Sequence, residues 1–375
     1  MDTGSIATPC YVCDEARLIR NLELLATLQK RTGCAVLLAL KAFAMFSTFP
    51  LMRRYLAGTA ASSLFEARLG SEEFGAQVHL CAPAYKESEF DQLLALSNHV
   101  VFNSFSQWRR FKARVEAIGR GTRCGIRVNP EHSEVDTPIY DPCASNSRLG
   151  VRRKDFEPGS LEGISGLHFH TLCGNDSDAL ARTLESFERK FGEFLPAMTW
   201  VNFGGGHHIA RDGYDFEGLC AIIERFRERH AVEIFLEPGE GIVMDAGILV
   251  ASVLDVLPNG TVILDASASA HTPDVLEMPY RPDVSGAGSP GELEYTYWLG
   301  GPTCMAGDVF GQYSFDQPLE IGSRIVFEDM APYTMVKNTM FNGVALPGIA
   351  IREAETGGIR EIRRFDYQDY RGRLS

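Results

Sequence analysis

Along this chain, short runs of aliphatic and β-branched residues alternate with longer stretches in which apolar positions recur at helical spacing. The runs at 36–40, 59–63, 77–81, 99–103, 124–128, 164–170, 199–203 and 233–237 read as strands buried on both faces. Amphipathic stretches at 64–73, 87–96, 105–118, 176–195 and 216–229 read as helices between them. Asn175 and Asp176 are residue types suited to cap the stretch at 176–195. Eight strands alternating with helices predict a (β/α)8 TIM-like barrel, with a doubly wound open sheet as the competing architecture.

Two regions depart from that rhythm. The segment 129–150 has little periodicity and holds Pro130, Pro138 and Pro142, which predicts a long loop on the barrel face where functional loops gather. Beyond Gly241 the runs at 248–257, 261–264, 293–298, 324–327 and 359–364 are short, β-rich and punctuated by Gly and Pro. The expectation is a barrel over 15–243, followed by a C-terminal β-sandwich or barrel-like domain built from 1–14 and 244–375.

Composition narrows the class. With 45% hydrophobic and 23% charged residues, the 375-residue chain suits a soluble globular protein and not a disordered one. A net charge of −13 disfavours nucleic acid as a partner and would suit a cationic ligand, although acidic proteins are also common in the cytosol. The start of the chain has neither the basic nor the apolar region of a signal peptide, and the longest apolar run, 34–40, is far too short to span a membrane. A cytoplasmic location is expected. The nine cysteines are scattered, which does not describe a disulfide framework. Cys10 and Cys13 form a C-x-x-C without a second pair or nearby histidines, so no metal site is expected.

Candidate chemistry collects at strand ends. Lys41 directly follows the first apolar strand, where a barrel's active rim lies. Burial there would favour the neutral amine, able to bond a carbonyl cofactor, whereas a lysine snorkelling to solvent is the plainer alternative. The sixth strand ends in Gly166-Leu167-His168-Phe169-His170, with both histidines on one side of the strand. They are open to reading as metal ligands, cofactor-stacking rings, or one core and one rim residue. The seventh strand runs into Gly204, Gly205 and Gly206, which let backbone approach an anion closely or merely make a tight turn. The dinucleotide pattern G-x-G-x-x-G is absent. Glu237 and Glu240 follow the eighth strand in Glu237-Pro238-Gly239-Glu240, and a carboxylate at Glu237 could keep a pyridinium nitrogen protonated. In the β-rich part, Cys304 sits on the turn Gly301-Pro302-Thr303-Cys304, as a small core residue or as a proton donor.

Taken in order, Lys41, His170, the triple glycine, Glu237, Gly301-Pro302-Thr303-Cys304, Ala331-Pro332-Tyr333-Thr334 and Phe341-Asn342-Gly343 resemble the fold type III pyridoxal-phosphate-dependent decarboxylases over nearly the whole chain. The resemblance implies pyridoxal 5'-phosphate as cofactor and a head-to-tail homodimer with active sites at the interface. It implies that Lys41 carries the cofactor, His170 stacks on its ring, and Glu237 pairs with its nitrogen. Gly204, Gly205 and Gly206 would hold its phosphate with help from Tyr333, and Cys304 would return the proton across the dimer interface. Within the family the chain is most similar to the branch that converts carboxynorspermidine or carboxyspermidine to norspermidine or spermidine, through Thr8-Pro9-Cys10-Tyr11-Val12, Leu38-Ala39-Leu40-Lys41-Ala42 and Ser62-Ser63-Leu64-Phe65-Glu66.

Two departures bear on substrate. Ornithine and diaminopimelate decarboxylases carry arginine where this chain has Glu240, and ornithine decarboxylases carry aspartate where it has Met305. A longer cationic substrate then fits, with Glu240 and Asp274 expected to bind its amines and Glu277 beside Asp274. The rivals are a decarboxylase of diaminopimelate or another basic amino acid, and a racemase, for which no second base stands out. A non-catalytic pyridoxal-phosphate-binding or regulatory protein is the rival of another class, against which both Lys41 and Cys304 count.

Overall fold

The computed structural model describes residue 4 and residues 6–118 and 121–375; residues 1–3 and 5, assigned above to the β domain, lie outside the described residues, as do 119 and 120. The chain divides into two compact units, one from Asn21–Ile242 and the other from Met1–Arg20 and Val243–Ser375.

The first unit is a closed parallel barrel of eight strands: Ala35–Ala39, Gly58–Ala61, Gln77–Cys81, His99–Phe102, Arg123–Arg127, Ile164–His168, Trp200–Asn202 and Glu233–Leu236. The last strand closes on the first through Ala35↔Phe235 and Val36↔Leu236. Closure leaves no free edge, so every inward residue must fill the interior. Trp200 dominates that filling together with Leu37, Val101 and Phe235. Its indole fits only because the neighbouring strands carry glycines. A Cβ on Gly166 would lie 2.0 Å from the indole, and one on Gly125 would lie 2.5 Å from it. His79 and His99, partners in register, stack beside this cluster with centroids 3.8 Å apart.

The outer helices follow from capping and burial. Ser177–Phe191 starts where the Asp176 side chain accepts from the Ser177 N–H, and it buries Leu180, Leu184, Phe187 and Phe191 at helical spacing. Its α-helical part ends four residues short of the predicted stretch, which continues as a 3-10 turn over Gly192–Ala197 around Pro196. Phe216–His230 is capped by Asp215, which accepts from the Gly218 N–H. Between the fifth and sixth strands there is no α-helix; the long loop passes through 3-10 turns at Pro138–Tyr140, Arg153–Asp155 and Pro158–Ser160. Asn129 ties this loop together by donating to the carbonyls of Pro142 at 3.3 Å and Leu149 at 3.4 Å.

The second unit is a mixed sheet of eight strands. Cys10–Asp14 lies between Gly247–Val256, antiparallel, and Gly348–Arg352, parallel. The ten-residue strand Gly247–Val256 pairs with three others. Its first half pairs with Cys10–Asp14 and Arg324–Phe327, and its second half, past an irregularity between Val253 and Asp255, pairs with Thr261–Leu264. Strands Tyr295–Gly300, Val309–Phe315 and Ile359–Arg363 complete the order. Val309–Phe315 and Gly348–Arg352 were not apparent from the sequence pattern. The second is only five residues long, and its side chains Ile349 and Arg352 are half-buried. Cys10 and Cys13 lie buried in the N-terminal strand, where burial pushes both thiols up to about 12.

Candidate active site

In the barrel unit, the strand ends bring Lys41, His170, the glycine run, Glu237 and Glu240 to one rim. Lys41 follows Ala35–Ala39 and places its Nζ 3.4 Å from His170 Nε2. The other ring nitrogen of His170, Nδ1, accepts the Gly205 N–H at 2.8 Å, so the ring proton resides on Nε2, facing the amine. Lys41 keeps accessible surface at the open rim. Protein nevertheless surrounds its amine closely enough that burial, reinforced by the Arg127 guanidinium, lowers its pKa from the ordinary lysine value. The same burial, with Lys41 and Arg127 nearby, holds His170 well below the usual histidine range, so its ring is neutral.

Glu237 is the counterweight. Its Oε1 accepts from Asn202 Nδ2 at 2.7 Å and its Oε2 lies 3.3 Å from His168 Nε2. Burial alone would raise its carboxyl; His168, Asn202 and Lys41 more than offset that, and it stays below the ordinary value, ionised.

The glycines are required by space. Gly204 and Gly206 have φ of 71° and 90°, and a Cβ on Gly205 would lie 2.1 Å from the Glu237 carbonyl oxygen. The Gly204 N–H donates to Asn202 Oδ1 and the Gly205 N–H to His170 Nδ1, so two of the three amides are committed within the protein. Glu240 opens the short helix Glu240–Val243 and pairs with His208, Oε2 to Nε2 at 3.3 Å.

The remaining predicted site residues belong to the sheet unit. Cys304 is exposed, and its N–H donates to Asn342 Oδ1 at 2.9 Å, so the Phe341-Asn342-Gly343 motif fixes the cysteine's turn. The preceding residue is anchored by the buried Asp308 carboxylate, which accepts from Thr303 Oγ1 at 2.7 Å and Ser267 Oγ at 2.9 Å. Tyr333 is half-buried with a φ of 57°, a left-handed backbone unusual for an aromatic residue. Asp274 and Glu277 form one helical turn and both pair with Lys337. Asp274 therefore already has a cation, and burial raises its carboxyl from the ordinary value.

Two residues that shape the site escaped assignment from sequence alone, Arg127 and Asn202, and the part played by His168 was left open there. Arg127 carries the same signal as Lys41, a cation ending an apolar strand, and Asn202 stands two residues before the glycine run. Among the described residues no group of His, Cys, Asp or Glu is arranged to hold a metal ion, and no helix is long and apolar enough to cross a membrane.

Residues 10–331 match the family model described as pyridoxal-dependent decarboxylase, C-terminal sheet domain. The chain is 45% identical over 375 residues to the carboxyaminopropylagmatine decarboxylase of Synechocystis sp., covering 99% of this chain and 96% of that protein. It is 43% identical over 378 residues to the carboxynorspermidine/carboxyspermidine decarboxylase of Campylobacter jejuni, covering 97% and 98%. The crystal structure of carboxynorspermidine decarboxylase from Campylobacter jejuni, complexed with norspermidine, superposes with a TM-score of 0.91 at 42% identity, covering 98% of this chain and all of that one.

Proposed function

The chain belongs to the pyridoxal-dependent decarboxylases, and from that premise we propose that it decarboxylates carboxynorspermidine or carboxyspermidine to norspermidine or spermidine, in the cytoplasm, as a homodimer. The observation that carries the reading is the placing, on one rim, of the Lys41 amine 3.4 Å from His170 and of the Glu237 carboxylate held by Asn202 and His168.

The residues present fit pyridoxal phosphate. An ionised, nearly dry carboxylate with a neutral amide on one oxygen is suited to a protonated ring nitrogen, and a lysine easily made neutral is suited to a carbonyl. Lys41 would hold the cofactor covalently, His170 would lie against its ring, and Glu237 would keep the proton on its ring nitrogen. Gly204, Gly205 and Gly206 leave room for the phosphate, and Tyr333 would add a hydrogen bond. When bound, the cofactor supplies the electron sink that accepts the pair released with carbon dioxide.

The protein's own part is orientation and proton control. His170 is fixed by Gly205 and presents a neutral face. Cys304 would return a proton to the α-carbon, contributed by the second copy of the chain. Its exposure and the Asn342 hydrogen bond that sets its turn support that role. Glu240, with Asp274 on the sheet unit, would bind the substrate's protonated amines through charge-assisted hydrogen bonds. Nine free thiols, two of them exposed, fit a reducing compartment.

A second substrate reading has a specific ground in the 45% identity to the carboxyaminopropylagmatine enzyme. A guanidinium end would suit Glu240, because guanidinium and carboxylate pair bidentately. Side-by-side rates on carboxynorspermidine, carboxyspermidine, carboxyaminopropylagmatine and diaminopimelate test the proposal. The first two are expected to lead; faster turnover of diaminopimelate would overturn it, and faster turnover of the guanidino substrate would install the second reading. Lys41→Ala is expected to abolish the bound-cofactor absorbance, and Cys304→Ala to keep it while losing most turnover.

A further inference from the structure

We infer that His168 is a positioning residue for decarboxylation: from beneath the rim, its imidazole fixes the orientation and preserves the negative charge of Glu237. The inference rests on the reading that Glu237 meets the cofactor's ring nitrogen.

The geometry comes from strand register. His168 ends the sixth barrel strand and is the register partner of Asn202 on the seventh, and Asn202 is in turn the partner of Phe235 on the eighth. Glu237 stands two residues beyond Phe235, on the same side of its strand. Side chains from two adjacent strands therefore reach the two oxygens of one carboxylate, Asn202 at Oε1 and His168 at Oε2. His168 is 1% exposed, and its Nδ1 is buried without a hydrogen-bond partner among the described residues. Its hydrogen bond to Glu237 is thus made through Nε2, and only the tautomer with the proton on Nε2 makes it attractive.

Neutrality is the useful property. A lysine or arginine at this place would neutralise Glu237 and compete with a protonated ring nitrogen for it. A neutral N–H orients the oxygen and leaves the charge available. The surroundings keep His168 neutral. Burial lowers it below the ordinary histidine value, and Arg127 and Lys41 act in the same direction, against Glu237. His79 lies within electrostatic reach and stacks on His99; burial and mutual repulsion keep His79 well below the ordinary value as well. His170, also neutral, lies within its electrostatic reach as well.

The test compares the unaltered enzyme with His168→Leu, which removes the donor, and His168→Gln, which supplies a neutral N–H of similar reach. Infrared titration of the full-length enzyme freed of cofactor follows the Glu237 carboxylate, with Glu237→Gln identifying its band. The Leu variant is expected to raise the Glu237 midpoint by about one pH unit or more. In the reloaded enzyme, kcat is expected to fall about tenfold with KM changed less than twofold. The Gln variant is expected to recover most of both. Should the Leu variant fail to fold, His168→Asn, whose amide is too short to reach, is expected to give the same shifts. An unchanged Glu237 midpoint in folded Leu or Asn variants overturns the inference. An unchanged cofactor spectrum and kcat in Glu237→Gln would instead overturn the ring-nitrogen reading, which the cofactor-free titration does not depend on.

Discussion

Asn202 and Glu237 are joined by a 2.7 Å hydrogen bond whose donor amide has a second duty: its side-chain oxygen, Asn202 Oδ1, accepts the Gly204 N–H at 2.8 Å. One side chain thus fixes both the carboxylate and the start of the glycine run. Asn202→Ala is expected to weaken cofactor affinity about tenfold, since a buried charged acceptor loses a donor worth roughly 1–3 kcal/mol. Asn202→Asp should be worse, because it sets a second carboxylate against Glu237. Fluorescence titration of the cofactor-free enzyme with pyridoxal phosphate measures both.

Glu240 sits beside His208 and away from the Asn202–Glu237 bond, so its loss should separate substrate from cofactor. Glu240→Gln is expected to raise KM for the polyamine substrate about tenfold, the loss of one charge-assisted contact, and to leave cofactor affinity unchanged. Equal KM values in the two enzymes would remove Glu240 from the substrate's path.

Stability should fall with acid through buried neutral histidines. His207 and His271 are both held near 4, chiefly by burial. Because the unfolded value is about 6.5, the unfolded chain takes up these protons first. The stabilisation is therefore complete above that value and is lost as pH falls towards 4, by about 1.4 kcal/mol per pH unit for each histidine. Urea midpoints between pH 7.5 and 5 check this. His271→Gln should give a shallower slope than the unaltered enzyme.

The barrel interior should not accept a methyl group at Gly166. The added carbon would lie 2.0 Å from the Trp200 indole, inside a closed sheet that cannot move aside. Gly166→Ala is expected to destabilise the protein by about 1–3 kcal/mol or more. Gly159→Ala, with no atom within 4 Å, should stay within about 0.5 kcal/mol. Thermal melts of the two variants give the comparison.

The row of candidate residues on the barrel rim was legible in sequence wherever a strand end announced itself. Lys41, His170 and Glu237 each follow an apolar run, and the barrel's alternation predicts that such positions share a rim. What stayed hidden depends on sideways neighbours. Nothing local says that Asn202 reaches Glu237, 35 residues on, or that Asp274 meets Lys337 at a separation of 63. The committed amides of Gly204 and Gly205 were equally unreadable, because their acceptors come from Asn202 and His170 side chains set by folding. The strand Gly348–Arg352 was missed since five half-apolar residues among turns carry too weak an alternation to stand out.

The strand Cys10–Asp14 takes one partner, Gly247–Val256, from just beyond the barrel and the other, Gly348–Arg352, from near the far end of the chain. During synthesis, one edge of this strand can pair as soon as Gly247–Val256 has emerged, whereas the other waits for Gly348–Arg352 in the last tenth of the chain. The barrel, contiguous from Asn21–Ile242, has all its strands in hand long before. Until Gly348–Arg352 is free to dock, the nascent chain carries an apolar strand with one edge unpaired, open to mispairing and to chaperone capture.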